Sequence, residues 1–187
     1  DVDGDGVPDL VIGAPFYDEI YFGGGDNDYS GAVWFISGSW LQGLDTEPAT
    51  SGPDMVATAV YELPPTLILG PQQNINFGFD VTLIPDYLPD GRAVVAASAL
   101  NYAVGSAKNI GGVLLYAHDA TTGALEKEPF GIVVGETYRP GGYFGTQVSA
   151  RLHNGQMTLV VGADTGTAYQ DPKAIEYGTV YLFPIGD

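Results

Sequence analysis

The chain has 187 residues, a net charge of −17, 45% hydrophobic residues and no cysteine. That length and apolar content support one domain with a real core, while the acidic balance argues against nucleic acid and anionic membrane surfaces, which call for basic patches. The lack of Cys excludes disulfides, thiolate metal sites and cysteine catalysis, and no apolar run approaches the roughly 18 residues of a membrane helix.

The first fifteen residues place Asp1, Asp3, Asp5 and Asp9 around Gly4 and Gly6. Carboxylates this close repel one another unless a cation sits among them. Calcium takes six to eight oxygens from a loop able to curl around it, whereas magnesium demands a stricter geometry. The expected ligands are the side chains of Asp1, Asp3, Asp5 and Asp9 with the Val7 carbonyl, and Gly6 permits the sharp turn. The opening is similar to the first half of an EF-hand loop, but position 12 is Ile12 rather than Glu. Leu10 to Pro15 is a short apolar run ended by Gly and Pro, so it reads as a buried strand. The bland alternative is an acidic turn without metal. No signal peptide is visible, and a chain that opens inside such a loop reads as a piece of something longer.

Further strands follow in order. Residues 16–30 read as a loop rich in Gly, Asp and Tyr, and 31–38 as a strand between glycines. Residues 39–65 carry Pro48, Pro53, Pro64 and Pro65 and read as an irregular insertion, with a short helix or strand near Met55 to Tyr61. Strands are then expected at 66–70, 77–81, 92–98, 111–117, 131–135, 144–148, 157–162 and 178–183. No convincing helical period is found.

These strands recur as a unit, the signature of a propeller or solenoid. Phe77-Gly78 and Phe144-Gly145 are 67 residues apart. Gly13-Ala14, Ala96-Ala97 and Gly162-Ala163 line up as small-residue strand ends. The strands opening at Gly31, Gly112 and Gly178 line up with intervals of 81 and 66 residues. The extra length of the first interval falls in the Pro-rich 39–65 segment, where insertion costs least.

Phe-Gly at a repeat start, the Asp-x-Asp-x-Asp-Gly-x-x-Asp loop and Val11-Ile-Gly-Ala-Pro15 together resemble the FG-GAP repeat of integrin α-subunit propellers. The first repeat carries the loop and Gly-Ala-Pro without a Phe-Gly. The second and third carry Phe-Gly with degenerate loops at 86–91 and 151–155. The resemblance implies an all-β fold of four-stranded antiparallel β-propeller blades, with calcium in the loop between the first two strands of some blades. A complete ring in that family is similar to about seven blades. About ten strands here make a partial propeller of about three blades: strands two to four of one, a full blade, and strands one to three of another. The segments are 1–38, a blade with the calcium loop; 39–65, the insertion; 66–125, a second blade; and 126–187, a third. Such an array has sticky open ends, so further blades of the same protein or partner copies are expected to cover them.

Phe77 and Phe144 are expected to pack between blades, with their glycines letting backbones approach. Trp34, Tyr116 and Tyr181 are expected in the core. Tyr17, Tyr21, Phe22 and Tyr29 fall in a loop that suits presentation to a sugar or protein partner, or simple coverage of a neighbouring blade. His118 and His153 have neither an i, i+4 partner nor a nucleophile motif. Gly23-Gly-Gly-Asp26 lacks the Lys-Ser/Thr of a phosphate loop. No catalytic set emerges, and the expectation is a non-enzymatic module. Its function is read as extracellular or cell-surface adhesion or protein interaction, with a structural calcium. The alternatives are a filament subunit joined through open blade edges and an accessory propeller of a secreted enzyme.

Overall fold

The computed structural model describes residues 1–17, 29–42, 67–119, 121–135, 141–164 and 178–185. The expected Met55–Tyr61 element and most of the Tyr21–Tyr29 loop lie outside these. The described chain is all-β except for one five-residue helix. The first sheet joins β1 (Leu10–Ala14), β2 (Ala32–Ile36) and β3 (Leu67–Leu69), with helix α1 (Gly38–Gln42) directly after β2. The second joins β4 (Phe77–Ile84), β5 (Val94–Ala99), β6 (Gly112–Tyr116) and β9 (Gly131–Val134). A small hairpin of β7 (His118–Asp119) and β8 (Ala124–Leu125) leaves the β6–β9 connection. The third sheet joins β10 (Phe144–His153), β11 (Gln156–Ala163) and β12 (Thr179–Pro184). All pairings within the sheets are antiparallel.

The sheets stack face to face as blades of a partial β-propeller, and the strand period decides which side chains meet. On β5, Val95, Ala97 and Ala99 join Val33, Phe35 and Ile68 of the first sheet in one apolar cluster. The alternate residues Val94 and Ala96 join Val148, Leu159 and Val161 of the third sheet in another. Every residue of β5 and β6 is therefore buried. This explains why those strands read as continuous apolar runs rather than as alternating ones. Within the first cluster, burial pushes the Tyr116 phenol up, and Glu128 and Tyr102 add to the shift.

Each blade hooks onto the one before at its Phe-Gly pair. Phe77 donates its N–H to the Ser30 carbonyl, and Phe144 donates to the Ile110 carbonyl. Gly31 bridges Phe77 and Gly111 bridges Phe144, both in parallel. Both phenylalanines are buried, as expected, and Gly78 and Gly145 take φ of +79° and +100°. A Cβ on Gly78 would lie 2.3 Å from the Ala32 carbonyl oxygen, and one on Gly13 would lie 2.1 Å from that of Gly78. Only glycine permits these backbones to touch.

Strand pairing corrects several expectations. Leu67–Leu69 pairs with β2, and Gly131–Val134 pairs with β6. The first two blades therefore run past the expected edges at 66 and 126, because the outermost strand of each blade follows a long connection. The bridges make Gly111, not Gly112, the counterpart of Gly31. The interval from Gly111 to Gly178 is then 67 residues, the same as from Phe77 to Phe144. The same register aligns Trp34 with Leu114 and Tyr181, and sets Tyr116 beside Ile36 and Phe183. The degenerate loop expected at 151–155 is mostly strand. β10 runs to His153 and turns at Asn154-Gly155, φ +50° and +81°, the two-residue hairpin turn favoured by Asn-Gly.

His118 lies buried against Phe35, its ring centroid 5.9 Å away, and neither ring nitrogen has a hydrogen-bond partner among the described residues. A buried unsatisfied polar group costs about 1–3 kcal/mol. His118→Leu is therefore expected to raise the melting temperature by about 2–12 °C. Gly78→Ala is expected to cost about 2–4 kcal/mol, from the left-handed backbone and the carbonyl clash combined. Thermal and urea denaturation of the two variants check both signs.

Candidate metal centre

Residues 1–9 enter β1 from the end of the stack that also carries the β4–β5 connection and the β10–β11 turn. The loop is wound by its own carboxylates. Asp1 accepts the N–H groups of Gly4 (2.7 Å) and Gly6 (2.9 Å). Asp3 accepts that of Asp5 at 3.1 Å, and Asp5 that of Val7 at 2.8 Å. Asx turns of this i to i+2 type favour Asp, and Gly4 and Gly6 take φ of +81° and +83°. Val2 is fully buried in the first apolar cluster and pins the loop to the core.

Asp9 plays a different part. Its Oδ2 accepts the Val2 N–H at 2.6 Å, and its Oδ1 accepts the Gly38 N–H at 2.8 Å. One carboxylate thus ties the start of the loop to the segment leaving β2. Gly38 has no room for a side chain, since a Cβ there would meet the Pro8 carbonyl oxygen at 2.2 Å. The loop also touches the second blade, where Ala93 donates its N–H to the Asp1 carbonyl. The aliphatic part of Arg92 lies beneath Gly4. The Gly38 and Arg92–Ala93 contacts carry no local sequence signal, because they join segments that meet only when the strands pair and the sheets stack.

Of the expected ligands, the fold brings three together. Carboxylate oxygens of Asp1, Asp3 and Asp9 lie within 4.8 Å of one another. Asp1 is exposed, and Asp3 and Asp9 are partly buried. This is an oxygen donor set of the kind a hard divalent cation takes. Asp5 lies outside the group, and its Oδ1 accepts the Val7 N–H. Val7 is half-buried in the same loop.

The matching loop of the second blade solves its charge problem internally. Arg92 Nε donates to Asp90 Oδ2 at 2.8 Å, and Arg92 also donates to the His118 carbonyl. The Arg92 backbone N–H first, then its guanidinium, hold the Asp90 carboxyl below its ordinary value against an opposing desolvation.

These geometries separate two kinds of aspartate. Asp9→Ala removes a carboxylate serving two backbone donors and is expected to cost about 2–4 kcal/mol even under chelator. Asp3→Ala, which loses one exposed turn bond, is expected to cost under about 1 kcal/mol in the same conditions. Denaturation of both variants in chelator checks the ordering, and equal losses would contradict it.

The FG-GAP repeat family model matches residues 1–36. No curated protein matches the chain. The matched segment runs from the acidic loop through β1 to the end of β2, the part where the carboxylates converge and the strand ends Gly13-Ala14. Residues 1–36 of this chain are similar to an FG-GAP repeat.

Proposed function

We propose that the chain is an extracellular, calcium-binding β-propeller module that works in adhesion or protein–protein interaction, its calcium structural. The observation that carries the interaction role is a change of exposure at equivalent positions. Val33, Val113 and Val180 occupy matched sites on β2, β6 and β12 and are 0%, 0% and 66% exposed. Phe35, Leu115 and Leu182 at the next matched site are 1%, 8% and 61% exposed. The first two pairs are covered by the following sheet, and the third faces outward. Leu10 and Ile12 likewise stand exposed on the opposite end of the stack, where their counterparts Val95 and Ala97 are buried. Each such side chain gains about 1.5–3 kcal/mol on full burial. The occupant that fits both faces is another blade of this kind, because the same residue positions already pack against one inside the chain.

Calcium is supported by the convergence of Asp1, Asp3 and Asp9 in the repeat. Binding there neutralises carboxylates that otherwise repel, and it stiffens the entry to β1. A second reading, a filament subunit, is favoured by the same open faces. They lie at opposite ends of the stack, so joining them between copies is head to tail and does not close on itself by necessity.

Calcium at about a hundredfold its dissociation constant is expected to raise the melting temperature by about 5–10 °C. Chelator should reverse the rise, and Asp3→Ala should abolish it. A melting curve indifferent to calcium removes the metal reading. For the faces, sedimentation is expected to show self-association, or capture of an added FG-GAP blade, that Leu182→Asp abolishes. A chain that stays monomeric and captures none at about 100 μM, well above the dissociation constants of specific complexes, removes the docking reading.

A further inference from the structure

At the strand ends opposite the acidic loop, the connections of the first and second blades frame a cleft of about 440 Å³. It is lined by Phe16, Tyr29, Asn74, Asn76 and Asn101. Phe16 follows β1, Tyr29 precedes β2, Asn74 and Asn76 join β3 to β4, and Asn101 follows β5. The aromatic side chains are unusually open for their size, Phe16 at 68% and Tyr29 at 41%.

The carboxamides are held in place by one another. Asn101 Nδ2 donates to Asn76 Oδ1 at 2.6 Å and to the Asn74 carbonyl at 3.1 Å. Asn76 Nδ2 donates in turn to the Pro15 carbonyl at 3.3 Å. These bonds fix the amide orientation without using up its capacity. Among the described residues the Asn101 Oδ1 and the whole Asn74 carboxamide take no hydrogen bond, and a carboxamide offers both donors and acceptors. Among the described residues no carboxylate or cationic side chain lines the cleft, although the chain carries a net charge of −17.

We infer that this cleft binds a neutral carbohydrate. A pyranose ring presents an apolar C–H face that an exposed aromatic ring covers, and an edge of hydroxyls that planar amides pair with in both directions. The described lining gives a charged ligand nothing to pair with, and the net charge of −17 disfavours an anionic one. The cleft volume lies within the range of small-molecule sites, about 300–1,000 Å³. The partly filled hydrogen-bonding capacity beside exposed aromatics points to a polyhydroxyl ligand rather than an apolar one. A purely apolar ligand would leave the Asn74 and Asn101 amide groups desolvated and unpaired.

The test is saturation-transfer NMR and calorimetry on the intact, calcium-loaded chain with neutral gluco-, galacto-, manno- and N-acetylglucosamine oligosaccharides. A uronic-acid oligosaccharide serves as the anionic arm, and a hydrophobic peptide panel as the protein arm. At least one neutral sugar is expected to bind with a dissociation constant of about 1 mM or tighter. Phe16→Ala and Asn101→Ala are each expected to weaken it about tenfold. Phe16 is exposed, so its variant should keep the parent melting temperature and remain readable if Asn101→Ala does not fold. The proposal is overturned if no neutral sugar binds. It is also overturned if the anionic sugar binds as tightly, if Phe16→Ala leaves affinity unchanged, or if only peptides bind in a Phe16-dependent way.

Discussion

The whole architecture depends on one steric constraint, the near contact of backbones where a Phe-Gly pair meets the preceding blade. Phe77 and Phe144 fill the apolar layer between sheets. Gly78 lets its backbone pass the Ala32 carbonyl at a distance no Cβ tolerates. Once that approach is made, the sheets lie close enough for β5 and β6 to be covered on both faces. Apolar burial between sheets then supplies the main stabilising term. Asp80 adds a polar tie across the same junction, its Oδ2 accepting the Val148 N–H at 2.7 Å.

The acidic loop sits on this frame and does not build it. Val2 anchors it in the first apolar cluster and Asp9 ties it to Gly38. Asp1, Asp3 and Asp9 are then left with oxygens facing one another. The second blade answers the same problem with Arg92 against Asp90, and the third with an Asn-Gly turn that has no acid to balance. Three blades thus show three treatments of one corner: convergent carboxylates, an internal cation, and a bare hairpin.

The two ends of the strands are also unlike. One carries the acidic loop and the ionic Arg92 contacts. The other carries the exposed aromatics Phe16 and Tyr29 beside the braced amides of Asn76 and Asn101. Antiparallel connectivity produces this division, because the first-to-second strand turns fall at one end and the connections between blades at the other.

Much of this was legible in the residues themselves. The Asp spacing, the Gly-bounded apolar runs and the Phe-Gly recurrence report local constraints: charge repulsion, strand period and a backbone site only Gly fits. They gave the all-β class, the strand count of each blade and the convergence of Asp1, Asp3 and Asp9. They did not give the blade edges at Leu67–Leu69 and Gly131–Val134 or the one-residue offset at Gly111. Those are decided by which strand pairs with which. The bond from Asp9 to Gly38, the stranded His118 and the Asn101–Asn76 brace likewise join segments distant in sequence. The chain alone fixed what each segment is, since propensity and charge act over a few residues. The packed fold alone fixed what each segment meets, since contact across sheets exists only after the blades have stacked.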